Sequence, residues 1–181
     1  ILNLSSSMQI QQAMLARGDR SNFTKCMQVS HVEVNGKVLG VVGAGTIGRE
    51  VIKVAQALGM EVLAYTRTPR ADEDNLKYVS LEELLKQSDY ISLHCPLTPQ
   101  TRHMINKETI AMMKPTAYII NTGRGALIDE PALIEALKEG RIAGAGLDVQ
   151  ETEPPVQNNP LYDMPNVILT PHMGWKGLET R

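Results

Sequence analysis

The chain has 181 residues, with 18 basic against 20 acidic side chains and a net charge of −2. That length supports one domain with a sizeable core, and the charge balance gives no electrostatic reason to bind nucleic acid or an anionic membrane surface. Hydrophobic residues make up 43% of the chain but aromatics only 4%, so the core must be aliphatic, and no apolar run approaches the roughly 20 residues of a membrane span.

In chain order, Ile1, Leu4, Met8 and Leu15 recur near one face of a helix, which Gly18-Asp19-Arg20-Ser21-Asn22 then breaks. Residues 1–30 therefore read as a helix and connection ahead of the domain proper. Asn35-Gly36 signals a tight turn before the first strand. Strands are predicted at 38–42, 61–66, 90–93, 118–121, 143–149 and 167–169, and helices at 47–58, 81–86, 107–113 and 130–139. Pro154-Pro155 and Asn158-Asn159-Pro160 mark a long irregular loop between the fifth and sixth strands, of a kind that often carries function. The alternation predicts an α/β fold over 31–175: a doubly wound parallel sheet between two helical layers. Residues 176–181 read as the start of a further helix. With both ends inside helical patterns, the chain reads as a piece of a longer polypeptide. Its two cysteines, Cys26 and Cys95, suggest neither a disulfide framework nor a metal site, which leaves a reducing cytoplasm as the default and no metal expected.

The strongest signal is Gly43-Ala44-Gly45-Thr46-Ile47-Gly48, entered from an apolar strand and left into a helix. In that context G-x-G-x-x-G is a dinucleotide-binding fingerprint. Gly43 allows the sharp turn, Gly45 leaves room for a pyrophosphate, and Gly48 lets the helix pack close to the strand. The first helical amides, those of Thr46, Ile47 and Gly48, point toward the anion.

In such a sheet ligands bind beyond the carboxyl ends of the strands. After the second strand, about 20 positions beyond the first glycine, an NAD-selective site places a carboxylate for the ribose hydroxyls. This chain has Thr66 there, followed by Arg67 and, further on, Arg70. Arginine can grip a 2′-phosphate through several N–H donors, so NADP is expected to bind at least as well as NAD. The alternative is that both arginines are solvated loop charges. After the third strand come His94-Cys95-Pro96 and, nearby, Thr101. After the fourth, Thr122-Gly123-Arg124-Gly125 places an arginine between two glycines, whose freedom of φ would turn it toward the crevice. Asp148 follows the fifth strand, with Glu153 in the long loop. His172 and Trp175 follow the sixth.

Together these pieces resemble the D-2-hydroxyacid dehydrogenases, the group that includes phosphoglycerate dehydrogenase and the glyoxylate/hydroxypyruvate reductases. The resemblance rests on Gly43 to Glu50, His94-Cys95-Pro96-Leu97-Thr98, Asn121-Thr122-Gly123-Arg124-Gly125, Gly146-Leu147-Asp148-Val149 with Glu153-Pro154, and Thr170-Pro171-His172. It spans residue 35 to the end, and the stretch before residue 30 resembles the helix linking that family's two domains.

The resemblance implies an NAD(P)-dependent oxidoreductase acting on a small 2-keto or 2-hydroxy acid such as hydroxypyruvate or glyoxylate. Arg124 would bind the substrate carboxylate and polarise the keto group. His172 would be the general acid in reduction and the base in oxidation, and Glu153 would hold it protonated. Asp148 would contact the nicotinamide carboxamide. The cofactor would lie along Gly43, Gly45, Thr46, Ile47, Gly48, Thr66, Arg67, His94, Cys95, Pro96, Thr101, Thr122, Gly123, Arg124, Asp148 and His172. Each role is chemically reasonable: hydride arriving at C2 leaves an alkoxide that needs a proton from a group titrating near neutrality, and histidine is that group.

The chain departs from the family in two respects. NAD-specific members have Asp where this chain has Thr66, and the family's separate substrate domain is nearly all missing here. The resemblance further implies a homodimer, for which the apolar stripe of the N-terminal segment offers a face. Formate dehydrogenases share the fold but would use a Gln-to-His relay in place of Glu153 and His172. The C-terminal-binding corepressors also keep the trio, so a non-enzymatic regulatory module is the alternative.

Overall fold

The computed structural model describes residues 1–24, 29, 31–68, 70–73 and 75–177. Cys26, Pro69 and residues 178–181 of the expected last helix lie outside the described residues.

Seven strands form one sheet: β1 (Val38–Val42), β2 (Glu61–Tyr65), β3 (Leu76–Tyr78), β4 (Tyr90–Leu93), β5 (Tyr118–Asn121), β6 (Gly144–Leu147) and β7 (Val167–Leu169). Their order is β3-β2-β1-β4-β5-β6-β7, and every pairing is parallel. The order reverses direction between β1 and β4, which opens a crevice at that point. The expected doubly wound α/β fold is therefore the observed one. One strand was missed: β3 is three residues long with Lys77 at its centre, too short and too polar to show a strand pattern.

Alternate residues of each strand feed two separate cores, so both faces of the sheet are dry. On one face Val42, Leu63, Ile91 and Leu93 pack with residues of α5 (Leu81–Gln87), α6 (Lys107–Ile110) and α7 (Glu130–Lys138). On the other Leu39, Val41, Val62 and Ala64 pack with Ile52 and Ala55 of α4 (Thr46–Ala57). Three of these helices begin on a side-chain cap: Ser80 for α5, Asn106 for α6 and Asp129 for α7. Helix α4 begins on Gly45 with no side-chain cap, so its first amides keep their hydrogens for another partner.

The expected N-terminal helix is not continuous. It divides into α1 (Leu2–Ser5) and α2 (Met8–Ala16) at Ser7, whose φ is +49°. The break separates the stripe read from the sequence. Leu4 is buried at the sheet, against Gly146 of β6, and Ile1 packs on the α4 core, while Met8 and Leu15 stay exposed on α2. A short α3 (Ser21–Thr24) follows. Two turns of 3-10 helix also lay outside the expectation: Gly125–Leu127, and Pro160–Asp163 in the long loop, where the Asn159 side chain accepts from the Leu161 amide. No helix among the described residues is long and apolar enough to cross a membrane.

Candidate active site

The register of the sheet aligns the candidate residues. Tyr65, Val42, Leu93, Asn121, Leu147 and Leu169 form one continuous row across β2, β1, β4, β5, β6 and β7. The next residue on each strand is Thr66, Gly43, His94, Thr122, Asp148 or Thr170, so the site is assembled from six adjacent strand ends.

At the switch point Gly43 has φ +102°, and a Cβ there would lie 2.6 Å from the Cys95 amide nitrogen. A Cβ on Gly48 would lie 2.1 Å from the Gly43 carbonyl oxygen, so α4 can meet the turn only without one. At Gly45 the space around a Cβ is open, in front of the uncapped amides of α4. Open space, free amides and the positive end of the helix dipole fit a pyrophosphate.

Two clefts flank this turn. The first, of about 430 Å³, runs from Gly43 and Gly45 past Thr66, Arg67 and Arg70 to Cys95, Pro96 and Thr101. Both arginines are exposed, and the Thr66 hydroxyl donates to the Thr68 carbonyl at 2.7 Å. Thr101 accepts from the Thr98 amide and donates to the Pro96 carbonyl, which closes the 96–101 loop. The second cleft, of about 990 Å³, lies on the far side of His94, Cys95 and Pro96. Ile47, Thr122, Gly123, Arg124, Asp148 and His172 all line it, together with Trp175. The two clefts thus contain every residue proposed for cofactor or substrate except Thr46, at the first position of α4, Gly48, which packs beneath the turn, and Glu153, which stands behind His172 in an adjoining hollow of about 500 Å³.

His172 Nδ1 lies 2.7 Å from Glu153 Oε2, and Glu153 Oε1 accepts from the Gln150 amide at 3.1 Å. Partial burial pushes the Glu153 carboxyl up, but these two hydrogen bonds outweigh it and hold the group below the usual carboxylate range. The pairing directs Nδ1 away from the cleft and leaves Nε2 for a reactant. His94 is different: burial lowers its pKa, and Nε2 shares a 2.8 Å hydrogen bond with Ser92 Oγ.

His172 has φ +48°, a left-handed conformation costing a non-glycine residue on the order of 1 kcal/mol. The hydrogen bonds of Asp148 hold it there. Its carbonyl accepts from the His172 amide, and its carboxylate accepts from the Thr170 hydroxyl and the amides of Met173 and Gly174. Burial pushes the Asp148 carboxyl up, and these three donors outweigh it and bring it below the usual value. Asp148 therefore organises the histidine turn, a part that its sequence position alone did not reveal.

The arginine turn departs from expectation. Neither Gly123 nor Gly125 has a positive φ, so the glycines do not act through φ freedom. Gly125 is required for space, because a Cβ would lie 1.9 Å from the Gln150 carbonyl oxygen. The side chain of buried Asn121 shapes the turn: Nδ2 donates to the Arg124 carbonyl and Oδ1 accepts from the Gly123 amide. An asparagine at a buried strand end was the available signal for this, since its side chain readily replaces a backbone partner.

A sequence model of the D-isomer specific 2-hydroxyacid dehydrogenase NAD binding domain matches residues 1–174. The chain is 50% identical over 152 residues to a hydroxypyruvate reductase of Blautia hydrogenotrophica, covering 83% of this chain and 47% of that protein. It is 52% identical over 151 residues to a glyoxylate reductase of Thermococcus litoralis, covering 82% and 45%. Among solved structures, D-lactate dehydrogenase with NAD+ from Lactobacillus jensenii superposes with a TM-score of 0.84 at 36% identity, over 96% of this chain and 56% of that one. An acyclic imino acid reductase in complex with NADPH and D-Arg superposes with a TM-score of 0.90 at 33% identity, over 99% and 56%. The chain spans about half the length of the curated relatives it matches.

Proposed function

This chain belongs to the D-isomer specific 2-hydroxyacid dehydrogenase family, and from that premise we propose that it is the cofactor half of a reductase for small 2-keto acids of the hydroxypyruvate or glyoxylate class. The observation that carries the reading is the His172–Glu153 pair, whose histidine lines one cleft with Arg124, beside a turn built for a pyrophosphate. A nicotinamide dinucleotide, when bound along these strand ends, would supply the hydride. The Arg124 guanidinium holds the substrate carboxylate through parallel hydrogen bonds and polarises the keto oxygen. His172 Nε2 delivers a proton to that oxygen, and Glu153 keeps the ring oriented through its contact with Nδ1. Asp148 holds the histidine turn and would contact the nicotinamide carboxamide.

Gly43, Gly45, Thr46, Ile47 and Gly48 form the pyrophosphate end of the site. Thr66 and Arg67 form its ribose end, with His94, Cys95, Pro96 and Thr101 as the wall between the clefts. We assign NADP(H) as the better ligand, because no carboxylate follows β2 and Arg67 and Arg70 stand at the cleft mouth. Residues 31–175 form the dinucleotide-binding unit, residues 1–30 the connection from a substrate domain and 176–181 the return to it. The apolar surface left on and after α2, at Met8, Leu15 and Phe23, supports a homodimer through the N-terminal segment. The free thiol of Cys95 suits a reducing cytoplasm.

The test is turnover by the full-length protein across a panel of 2-keto acids with NADPH and NADH. Reduction of hydroxypyruvate or glyoxylate is expected. Dinucleotide binding with no turnover of any 2-keto acid would make the protein a regulatory module.

A further inference from the structure

Arg124, Glu153 and His172 come from segments that follow three different strands. A set of contacts outside both clefts joins the segments of Arg124 and Glu153. Gly125 packs against the backbone of Gln150 and Glu151: a Cβ there would lie 1.9 Å from the Gln150 oxygen and 2.5 Å from the Glu151 nitrogen. Gln150 in turn donates its amide to Glu153. One residue on, Glu151 Oε1 accepts from Arg102 Nη2 at 2.9 Å and from His103 Nε2 at 2.7 Å. The His103 amide donates to the carbonyl of Ala126, the neighbour of Gly125. A ring therefore closes through Gly125, Gln150, Glu151, His103 and Ala126. On its other side the Glu151 amide donates to Glu130 Oε2, and Asn159 Nδ2 bridges Glu130 to the Gln150 side chain.

The Glu151 side chain is 23% exposed, with its carboxylate committed to those donors. Neither it nor Arg102 nor His103 lines the clefts. One carboxylate oxygen joined to two donors on another loop fixes three side chains at once, and their rotamer freedom is lost to make the contact.

We propose that Glu151, clamped by Arg102 and His103 and seated through Gln150 on Gly125, is the positioning residue that sets Glu153 against His172 in register with Arg124. This rests on the reading of those three residues as the reacting set. Glu151 touches no reactant; it acts through the segment that presents Glu153.

The test is the tautomer of His172, read from imidazole nitrogen shifts of this chain at mildly alkaline pH. In the wild type the neutral ring carries its proton on Nδ1, toward Glu153. Glu151→Ala releases the 150–153 segment and shifts His172 toward the Nε2–H form. Glu151→Gln, which still accepts from Arg102 and His103, restores the wild-type spectrum. In the full-length enzyme Glu151→Ala lowers kcat by roughly 10- to 100-fold with the dinucleotide KM unchanged. If Glu151→Ala does not fold, Arg102→Ala gives the same shift in smaller degree. An unchanged tautomer in the folded Glu151→Ala or Arg102→Ala chain overturns the proposal and leaves the clamp merely structural. Glu153→Ala separates the two claims: an unchanged tautomer there shows that the His172–Glu153 pairing itself is wrong.

Discussion

Thr170 and Asp148 stand one residue past the ends of neighbouring strands, and the Thr170 hydroxyl donates to Asp148 Oδ1 at 2.5 Å. The same carboxylate accepts from the Met173 and Gly174 amides, so one side chain just past β6 shapes the turn that follows β7. Replacing it strands three donors. Asp148→Ala is expected to cost about 1–3 kcal/mol of stability and to accelerate exchange of the Met173 and Gly174 amides roughly tenfold or more. Unaltered exchange at both amides would show that the turn holds itself.

The glycines of the first turn separate ligand binding from folding. Gly45 has φ −81°, which alanine adopts readily, and open space around its Cβ position. Gly45→Ala is expected to move the melting temperature by no more than a few degrees while weakening dinucleotide binding at least about tenfold. Gly48→Ala drives a methyl group into the Gly43 carbonyl and is expected to cost about 2–3 kcal/mol. Titration calorimetry and thermal melts of both variants decide. The opposite ranking would mean that no ligand lies over Gly45.

Arg67 is proposed to set the choice between NADP(H) and NAD(H). Arg67→Ala is expected to weaken NADP(H) by roughly 10- to 100-fold, the worth of a charged hydrogen bond to a phosphate, and to leave NAD(H) within about twofold. Equal losses for both would assign Arg67 a role in backbone or packing.

Stability against acid depends in part on Asp89. Its carboxylate accepts from Lys114 Nζ and from the Val38 amide, both at 2.9 Å, and so ties β1 to the segment before β5. Burial pushes this carboxyl up, but the two donors outweigh it and hold it below the usual range. A group whose folded pKa is depressed stabilises the fold above its unfolded value, near 3.9, and loses that contribution as pH falls through the folded value. Asp89→Asn is therefore expected to cost about 1–2 kcal/mol at neutral pH, with the difference shrinking below about pH 4. A constant difference from neutral pH down to pH 2 would exclude the ionised group as the cause.

Much of this architecture is legible in the sequence, for physical reasons. Strands buried on both faces read as apolar runs, and a parallel sheet brings their carboxyl ends to one edge, so the juxtaposition of Gly43, His94, Asp148 and His172 is legible from position. Contacts between distant segments could not. Nothing in Gly125 or Glu151 alone shows that their segments meet, and the packing reason for Gly125 became visible only when Gln150 was placed against it. The break at Ser7 was hidden too, because a helical period continues across a single left-handed residue whose cost is met by burying Leu4. The short edge strand β3 is held by its pairing with β2 and not by a pattern of its own.

His172 is proposed to deliver the proton in keto-acid reduction. This is tested most directly by comparing wild-type and His172→Ala full-length protein for turnover of hydroxypyruvate and for dinucleotide affinity. Turnover is expected to fall roughly 10²- to 10⁴-fold while the dinucleotide dissociation constant changes little. Near-normal turnover in the variant would remove His172 from the chemistry.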